Sequence, residues 1–216
     1  MIKGVIFDLD GTTLYTLPDL HNAVNMTMRH FGFPEKTAEE VKAGVGNGFQ
    51  RLIDSIVPEG TDEAKRKEVG VYYRDIYREN CCIDTVPYEG MNETLKILQE
   101  KGIQLAVNSN KSDNTTRLLI SRCFPDISFT EVLGAREGIP HKPDPSGANM
   151  ILDLMKIGKE EALYVGDSDT DMLTAKNAGI RAVGCLWGYR DLKTLQESGA
   201  DILLSKPEDL LNCLNE

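Results

Sequence analysis

Short apolar runs recur along the chain and are separated by longer stretches of mixed polarity. Continuous apolarity over a few residues is typical of strands that are buried on both faces of a parallel sheet. The clear runs cover residues 5–7, 105–107, 162–165, 182–183 and 202–204, and a less regular run covers 129–133. The pattern predicts a sheet whose strands are spread over the whole chain.

Helical periodicity fills the intervals between these runs in the second part of the chain. The spacing of apolar residues predicts helices over 91–100, 112–123, 145–155 and 168–178. Ser112 is a candidate N-cap, and Gly179 stands where a helix commonly ends in a left-handed residue. Strand and helix alternate from about residue 83 onward, which predicts an α/β fold with a parallel sheet.

The stretch that follows the first strand has a different pattern. Helical periods cover 20–31, 38–43, 49–56 and 62–80, and a glycine cluster interrupts them at 44–48. The economical interpretation is an all-helical insertion. We therefore expect a core made of residues 1–15 and 83–216, with residues 16–82 forming a separate helical domain.

Composition and charge narrow the class of protein. The 216 residues are 41% hydrophobic and 27% charged, which excludes a disordered or fibrous chain. A net charge of −10 argues against a nucleic-acid partner, and no apolar run is long enough for a membrane span. The N-terminus is too short and too polar for a signal peptide. The five cysteines have no metal-binding spacing, so we expect reduced thiols in a cytoplasmic protein.

Two carboxylates directly follow the first predicted strand, in the sequence Asp8-Leu9-Asp10-Gly11-Thr12. Residues i and i+2 of an extended chain point the same way and lie about 6–7 Å apart. One carboxylate is then placed to attack a reacting centre and the other to handle a proton. The alternative is an ordinary turn with solvated acids, because acid-glycine turns are common.

Three more carboxylates lie close together after the strand predicted at 162–165, at Asp167, Asp169 and Asp171. Capping of the next helix explains one of them. Three carboxylates in a partly buried site repel one another and need a cation, and ligation by oxygen alone favours Mg²⁺. Pure helix capping is the alternative.

Two weaker segments complete the candidate site. Ser109 and Asn110 supply a hydroxyl and an amide where a predicted strand meets a loop, although most such clusters are turns. Lys142 lies in a segment stiffened by Pro143 and Pro145, and it is either a cation for the acidic site or a surface lysine. The carboxyl ends of parallel strands share one edge of the sheet, so topology predicts that these segments converge.

Together these segments resemble the four motifs of the haloacid dehalogenase (HAD) superfamily, in the family's order. Thr12 looks like the phosphatase form of the first motif. Four further segments, at 17–20, 46–48, 87–90 and 187–190, resemble the phosphoglycolate phosphatase branch. Thr13 departs from that branch, which usually carries an aliphatic residue there, and Ser109 stands where Thr is commoner.

The resemblance implies a Rossmann-like core with an inserted helical cap of type C1. It also implies that Asp8 attacks phosphorus and forms an aspartyl-phosphate, and that Asp10 protonates the leaving group and then activates water. Ser109 and Lys142 would hold the transferring oxygens.

The same resemblance implies a Mg²⁺ site. Its ligands would be the carboxylates of Asp8 and Asp167 and the backbone carbonyl of Asp10. Asp171 would not bind the ion directly but would orient Lys142 or a metal-bound water.

The substrate-binding candidates are Thr12, Asn110, Asn47 and Arg51, and Arg51 is a candidate partner for a substrate carboxylate. We interpret the tyrosines at 72, 73 and 77, together with Trp187 and Tyr189, as packing residues. The expected partner is a small phosphate ester, bound by a monomer or homodimer.

Several other functions stay open at this point. A phosphomutase related to β-phosphoglucomutase would use the same nucleophile, and an inorganic pyrophosphatase of the same superfamily is also possible. A receiver-like signalling module combines similar residues, but it is shorter and its acidic pair is not spaced as here. A binding protein without catalysis is the last alternative.

Overall fold

A computed structural model describes residues 1–46 and 48–215, and within them eight strands form two sheets. Six strands form one parallel sheet in the order β5-β4-β1-β6-β7-β8, and β2 pairs with β3 in a small antiparallel sheet. The predicted α/β class is confirmed. The strands are β1 (Gly4–Phe7), β2 (Leu14–Tyr15), β3 (Val86–Pro87), β4 (Gln104–Ser112), β5 (Glu131–Ala135), β6 (Ala162–Gly166), β7 (Arg181–Cys185) and β8 (Ile202–Leu204).

The alternation of side chains along β1 explains why its apolar run is continuous. Val5 and Phe7 lie in an apolar cluster on one face of the sheet, and Ile6 lies in a second cluster on the other face. All three side chains are buried. The first cluster extends to Ile53 and Val69 in the helical insertion, so that insertion shares an apolar core with one face of the sheet.

Helices connect the strands and cover the sheet. They are α1 (Leu17–Phe31), α2 (Ala38–Gly44), α3 (Phe49–Ile56), α4 (Glu63–Asn80), α5 (Met91–Glu100), α6 (Asp113–Cys123), α7 (Ser146–Met155), α8 (Asp169–Ala178) and α9 (Leu192–Glu197). Gly179 ends α8 in the left-handed conformation, as expected. Ser112 precedes α6, but its side chain makes no capping bond to the backbone and instead donates to the Thr115 hydroxyl at 2.9 Å.

Helices α1 to α4 lie along the chain between β2 and β3, and two features tie the ends of this insertion together. The pairing of β2 with β3 joins Tyr15 to Val86. The buried carboxylate of Asp19, in the first turn of α1, accepts the backbone N–H groups of residues 83, 84 and 85 at 2.9–3.2 Å. The assignment of residues 16–82 to a separate domain stays a prediction.

Two further sequence expectations concern the whole chain. No helix in the described part of the chain combines the length and apolarity needed to cross a membrane. None of the five cysteines takes part in a disulfide among the described residues.

Candidate active site

The carboxyl ends of the central strands bring the predicted segments together. Asp8 follows β1, Asp167 follows β6, and Ser109 lies on β4, whose pairing with β5 is irregular between Asn108 and Ser112. Strand β4 is longer than the run predicted at 105–107, and Ser109 lies within it. Lys142 reaches the same place from the loop after β5, so topology places four distant segments at one edge of the sheet.

Lys142 connects two of the carboxylates. Its Nζ lies 2.7 Å from Asp8 Oδ1 and 2.7 Å from Asp171 Oδ1, and all three side chains are buried. A surface lysine, the alternative reading of this residue, is therefore wrong. The ammonium is held between two carboxylates, which is the usual condition for burying a charge.

Asp167 is fixed by close neighbours on two sides. Thr12 Oγ1 donates to Asp167 Oδ1 at 3.1 Å, and the Tyr189 backbone N–H donates to Oδ2 at 2.6 Å. A Cβ at Gly188 would lie 2.2 Å from Asp167 Cβ and 2.6 Å from the Gly11 carbonyl oxygen. Only glycine fits at position 188 against this carboxylate.

Asp171 combines two structural roles. It is the third residue of α8, and its Oδ2 accepts the backbone N–H and the hydroxyl of Ser168 at 3.1 and 2.6 Å in a capping box. Its Oδ1 accepts from Lys142. Capping and charge pairing therefore both operate here, and both oxygens of Asp171 are engaged by protein groups.

Asp10 has a separate set of partners. Its Oδ1 accepts from Thr16 Oγ1 at 2.5 Å and lies 3.1 Å from Lys111 Nζ. The Thr16 hydroxyl in turn lies 3.0 Å from the Tyr189 hydroxyl. The two carboxylates of the Asp8-Leu9-Asp10 segment are thus held by different lysines.

Burial and mutual repulsion perturb the ionisable groups. Burial, reinforced by the charge of Asp171, raises the pKa of Asp8 well above its ordinary value. Burial and the same neighbour raise the pKa of Asp167 to about 7. Burial alone would lower the pKa of Lys142, but the facing carboxylates of Asp171 and Asp8 outweigh it and hold that pKa well above its usual range. Lys142 therefore stays protonated, while the negative charge of Asp171 makes ionisation of Asp8 and Asp167 less favourable.

The donor set fits a hard divalent cation. Asp8, Asp167 and Asp171 each offer a carboxylate oxygen, and these oxygens lie within 4.8 Å of one another in a buried cluster. Oxygen ligands of this kind suit Mg²⁺. A divalent cation would also relieve the repulsion that raises the carboxylate pKa values.

A cavity of about 520 Å³ opens beside these residues. Asp8, Asp10, Ser109, Asn110 and Lys111 line it from the sheet edge. Residues of the helical insertion line the other side, and they include Val45, Phe49, Leu52, Tyr73 and Tyr77. The site thus has a polar wall that carries the carboxylates and an opposing, mostly apolar wall.

The four candidate substrate-binding residues occupy different places. Thr12 is fully buried and contacts Asp167. Asn110 lines the cavity, but its amide accepts the Lys142 N–H at 2.8 Å and donates to the carbonyls of Lys142 and Gly46. Asn47 lies outside the described residues.

Arg51 is not brought to the site. It lies on α3 with an exposed side chain and is not among the described residues that line the cavity. The cationic side chains that do line it are Lys111, Arg74 and Arg136, and of these only Lys111 is largely buried.

Sequence reasoning missed the segment at 187–190 as part of the site, although it identified the motif. The Trp187 indole donates to the Thr12 carbonyl at 3.0 Å, and Tyr189 contacts both Asp167 and Thr16. Their interpretation as packing residues alone is therefore incomplete. Arg190 donates to the carbonyls of Lys42, Ala43 and Val45 at 2.9–3.3 Å, which joins this segment to the end of α2.

Comparison with known proteins agrees with this geometry. A family model described as haloacid dehalogenase-like hydrolase matches residues 5–185. Phosphoglycolate phosphatase of Vibrio vulnificus is 34% identical over 98% of this chain and 95% of its own length. Phosphoglycolate phosphatase 1 of Pseudomonas aeruginosa is 30% identical over 98% of this chain and 79% of its own length.

The likeness extends to three-dimensional structure. A crystal structure of a protein from Lactobacillus delbrueckii subsp. bulgaricus aligns with a TM-score of 0.91 at 29% identity, and the alignment covers 98% of both chains. The matched residues include Asp8, Ser109, Lys142 and Asp167 as well as the helical insertion. The chain belongs to the haloacid dehalogenase-like hydrolase family.

Proposed function

We propose that this phosphatase hydrolyses a small phosphate monoester of the phosphoglycolate type, with Mg²⁺ and through an aspartyl-phosphate intermediate. The names of its relatives support the substrate type. The arrangement of Asp8, Lys142 and Asp167 at the cavity supports the chemistry. A cytoplasmic location and a monomeric or homodimeric state remain predictions.

Asp8 is the proposed nucleophile. Its carboxylate lines the cavity, and Lys142 holds one of its oxygens at 2.7 Å, which orients the other for attack on phosphorus. Attack forms a bond from Asp8 to phosphorus and breaks the bond to the ester oxygen. Ser109 and Lys142 then donate to the phosphoryl oxygens, where developing negative charge is stabilised by donors that are already in place.

Asp10 is the proposed acid and base. It lines the same cavity two residues from Asp8, so it can give a proton to the departing ester oxygen. It can then take a proton from the water that hydrolyses the aspartyl-phosphate. Thr16 and Lys111 fix the orientation of its carboxylate.

The residues that would hold Mg²⁺ are Asp8 and Asp167 through their carboxylates and Asp10 through its carbonyl. Asp171 serves better as support for Lys142, because its Oδ1 is paired with that ammonium and its Oδ2 belongs to the capping box of α8. The bonds that Asp167 accepts come instead from a hydroxyl and a backbone N–H, which carry no charge. When bound, the cation neutralises the carboxylates and offsets the charge of the phosphate.

The observation that carries this proposal is the buried contact of Lys142 with Asp171 and with Asp8, which lines the cavity. The test replaces the proposed nucleophilic carboxylate of Asp8 with an amide of similar size and leaves every other charged residue unchanged. We expect Asp8→Asn to fold and to lose turnover of p-nitrophenyl phosphate and phosphoglycolate. Phosphate release in Mg²⁺ is the measurement.

The matched control is Asp153→Asn, which changes an exposed aspartate of α7 in the same way. It should retain the activity of the unmodified protein. Wild-type turnover by Asp8→Asn would contradict the assignment. Conversion of a hexose phosphate into an isomer without phosphate release, or turnover of pyrophosphate alone, would replace the proposed reaction with a related one.

A further inference from the structure

Lys111 is a buried cation with no role in the mechanism above beyond its contact with Asp10. It lies on β4, its side chain is 9% exposed, and it lines the cavity. Its Nζ lies 3.1 Å from Asp10 Oδ1 and donates to the Tyr77 hydroxyl at 3.0 Å. It also sits 4.5 Å from the centre of the Tyr77 ring.

These contacts leave the ammonium with capacity for a ligand. A lysine ammonium has three N–H donors, and the contacts with Asp10 and Tyr77 use two of them. Lys142, the other buried lysine at this edge, is held between Asp8 and Asp171 on the side of the transferred group. Lys111 is instead paired with Asp10, on the side where the leaving group departs.

Distances indicate what kind of ligand can use the remaining donor. In the proposed reaction the ester oxygen lies about 2.6–3.2 Å from the Asp10 carboxylate that protonates it. Lys111 Nζ lies 3.1 Å from an oxygen of that same carboxylate. In an ester of a 2-hydroxy acid, bonds of about 1.5 Å place a carboxylate oxygen roughly 3 Å from the ester oxygen. Such a carboxylate reaches Lys111 while its ester oxygen stays on Asp10.

We propose that Lys111 determines specificity by binding the carboxylate of the leaving group, and that the preferred substrates are phosphate esters of short 2-hydroxy acids. This inference rests on the proposed function and deepens it. It moves to Lys111 the carboxylate-binding role that the sequence suggested for Arg51. Tyr77, which comes from α4 of the helical insertion, holds the ammonium in place from the opposite wall.

The test compares three esters in Lys111→Met, which keeps much of the side-chain length and removes the charge. Phosphoglycolate has an alkyl leaving group with a carboxylate, ethyl phosphate has an alkyl leaving group without one, and p-nitrophenyl phosphate has a good leaving group. We expect kcat/KM for phosphoglycolate to fall about 10- to 100-fold, as for loss of a charge-assisted hydrogen bond. Ethyl phosphate should lose less than phosphoglycolate by a factor of about ten, and its own loss measures how far Lys111 positions Asp10. The ester p-nitrophenyl phosphate should lose least, because its good leaving group needs little protonation.

Other outcomes overturn the proposal in recognisable ways. Equal losses for phosphoglycolate and ethyl phosphate would mean that Lys111 acts only by positioning Asp10. Unchanged kinetics for all three esters would mean that the ammonium binds no part of the substrate. Absence of turnover of every ester by the unmodified protein would contradict the proposed function itself, and this inference with it.

A second measurement needs no variant and covers the case in which Lys111→Met does not fold. The unmodified protein should prefer phosphoglycolate over its uncharged amide by at least about tenfold in kcat/KM. Equal rates for the acid and the amide would overturn the proposal. Lys111→Arg, which keeps the charge, should retain part of the preference.

Discussion

At the scale of single residues, a few charged side chains that are buried or nearly buried form the candidate site. The ammonium of Lys142 lies between Asp8 and Asp171, and the ammonium of Lys111 lies beside Asp10. Removal of one member of a buried ion pair leaves the charge of the other member buried and unpaired. This lowers the free energy of unfolding by more than the loss of an ion pair at the surface does. Each lysine therefore affects both the stability of the fold and the chemistry of the site.

Lys142→Met tests the first of these pairs. We expect turnover to fall at least 100-fold, because the variant loses a donor to the phosphoryl oxygens. We also expect the free energy of unfolding to fall by about 3 kcal/mol at neutral pH without metal, because Asp8 and Asp171 then face each other unpaired. Urea denaturation and phosphate release are the measurements. Lys176→Met, at an exposed position of α8, is the control, and equal behaviour of the two variants would contradict the assignment.

Gly188→Ala tests the close approach to Asp167. The new Cβ would meet the Asp167 side chain and the Gly11 carbonyl, which belongs to the backbone and cannot swing away. We expect a loss of about 1–3 kcal/mol in stability and a large loss of activity. Gly102→Ala is the control, since a Cβ there meets no neighbour within 4 Å and adds only backbone strain. A fully active Gly188→Ala would show that Asp167 tolerates displacement.

At the scale of elements, hydrogen bonds of Asp19, Asn110 and Arg190 join the helical insertion to the core. Asp19 accepts three successive backbone N–H groups where the insertion returns to the core. Arg190 donates to three carbonyls at and beyond the end of α2, and Asn110 donates to the Gly46 carbonyl. These contacts position the cavity wall that the insertion forms relative to the sheet edge with the candidate metal ligands.

Arg190→Lys tests this coupling. Lysine keeps the charge but cannot span three carbonyls as the planar guanidinium does. We expect KM to rise about tenfold with a smaller change in kcat, because the variant weakens the placement of the cavity wall and leaves Asp8 and Asp10 intact. Steady-state kinetics with phosphoglycolate is the measurement. Arg122→Lys, on the exposed end of α6, is the control. An unchanged KM would contradict the role of Arg190.

The elements also show how far the sequence could predict this molecule. The run at 5–7 identified β1 because a strand buried on both faces stays apolar throughout. The strands β2 and β3 have two residues each, too few for any periodicity, so they were missed. Asp8, Asp10 and Asp167 were found because strand ends define their position. The direction of Lys111 was not predictable, because β4 continues irregularly past Ser109.

At the scale of the whole molecule, negative charge exceeds positive charge both over the whole chain and at the candidate site. The protein carries a net charge of −10. Among the described residues, the four buried carboxylates of the site contact one buried lysine, Lys142, and one largely buried lysine, Lys111. A phosphate ester would add further negative charge to this site. This excess of negative charge supports the proposals of a divalent cation at the site and of a separate lysine for the substrate carboxylate. The match to the haloacid dehalogenase-like hydrolases extends over both the core and the insertion.

The central claim is that Asp8 accepts the phosphoryl group. Its most direct test uses Asp10→Asn with p-nitrophenyl phosphate and Mg²⁺. The good leaving group needs little protonation, and loss of the proposed base should slow hydrolysis of the intermediate. After acid quenching, mass spectrometry of peptides should locate a phosphoryl group on Asp8 in close to every chain. A phosphoryl group on another residue, or turnover in the variant with no labelled peptide, would contradict the account.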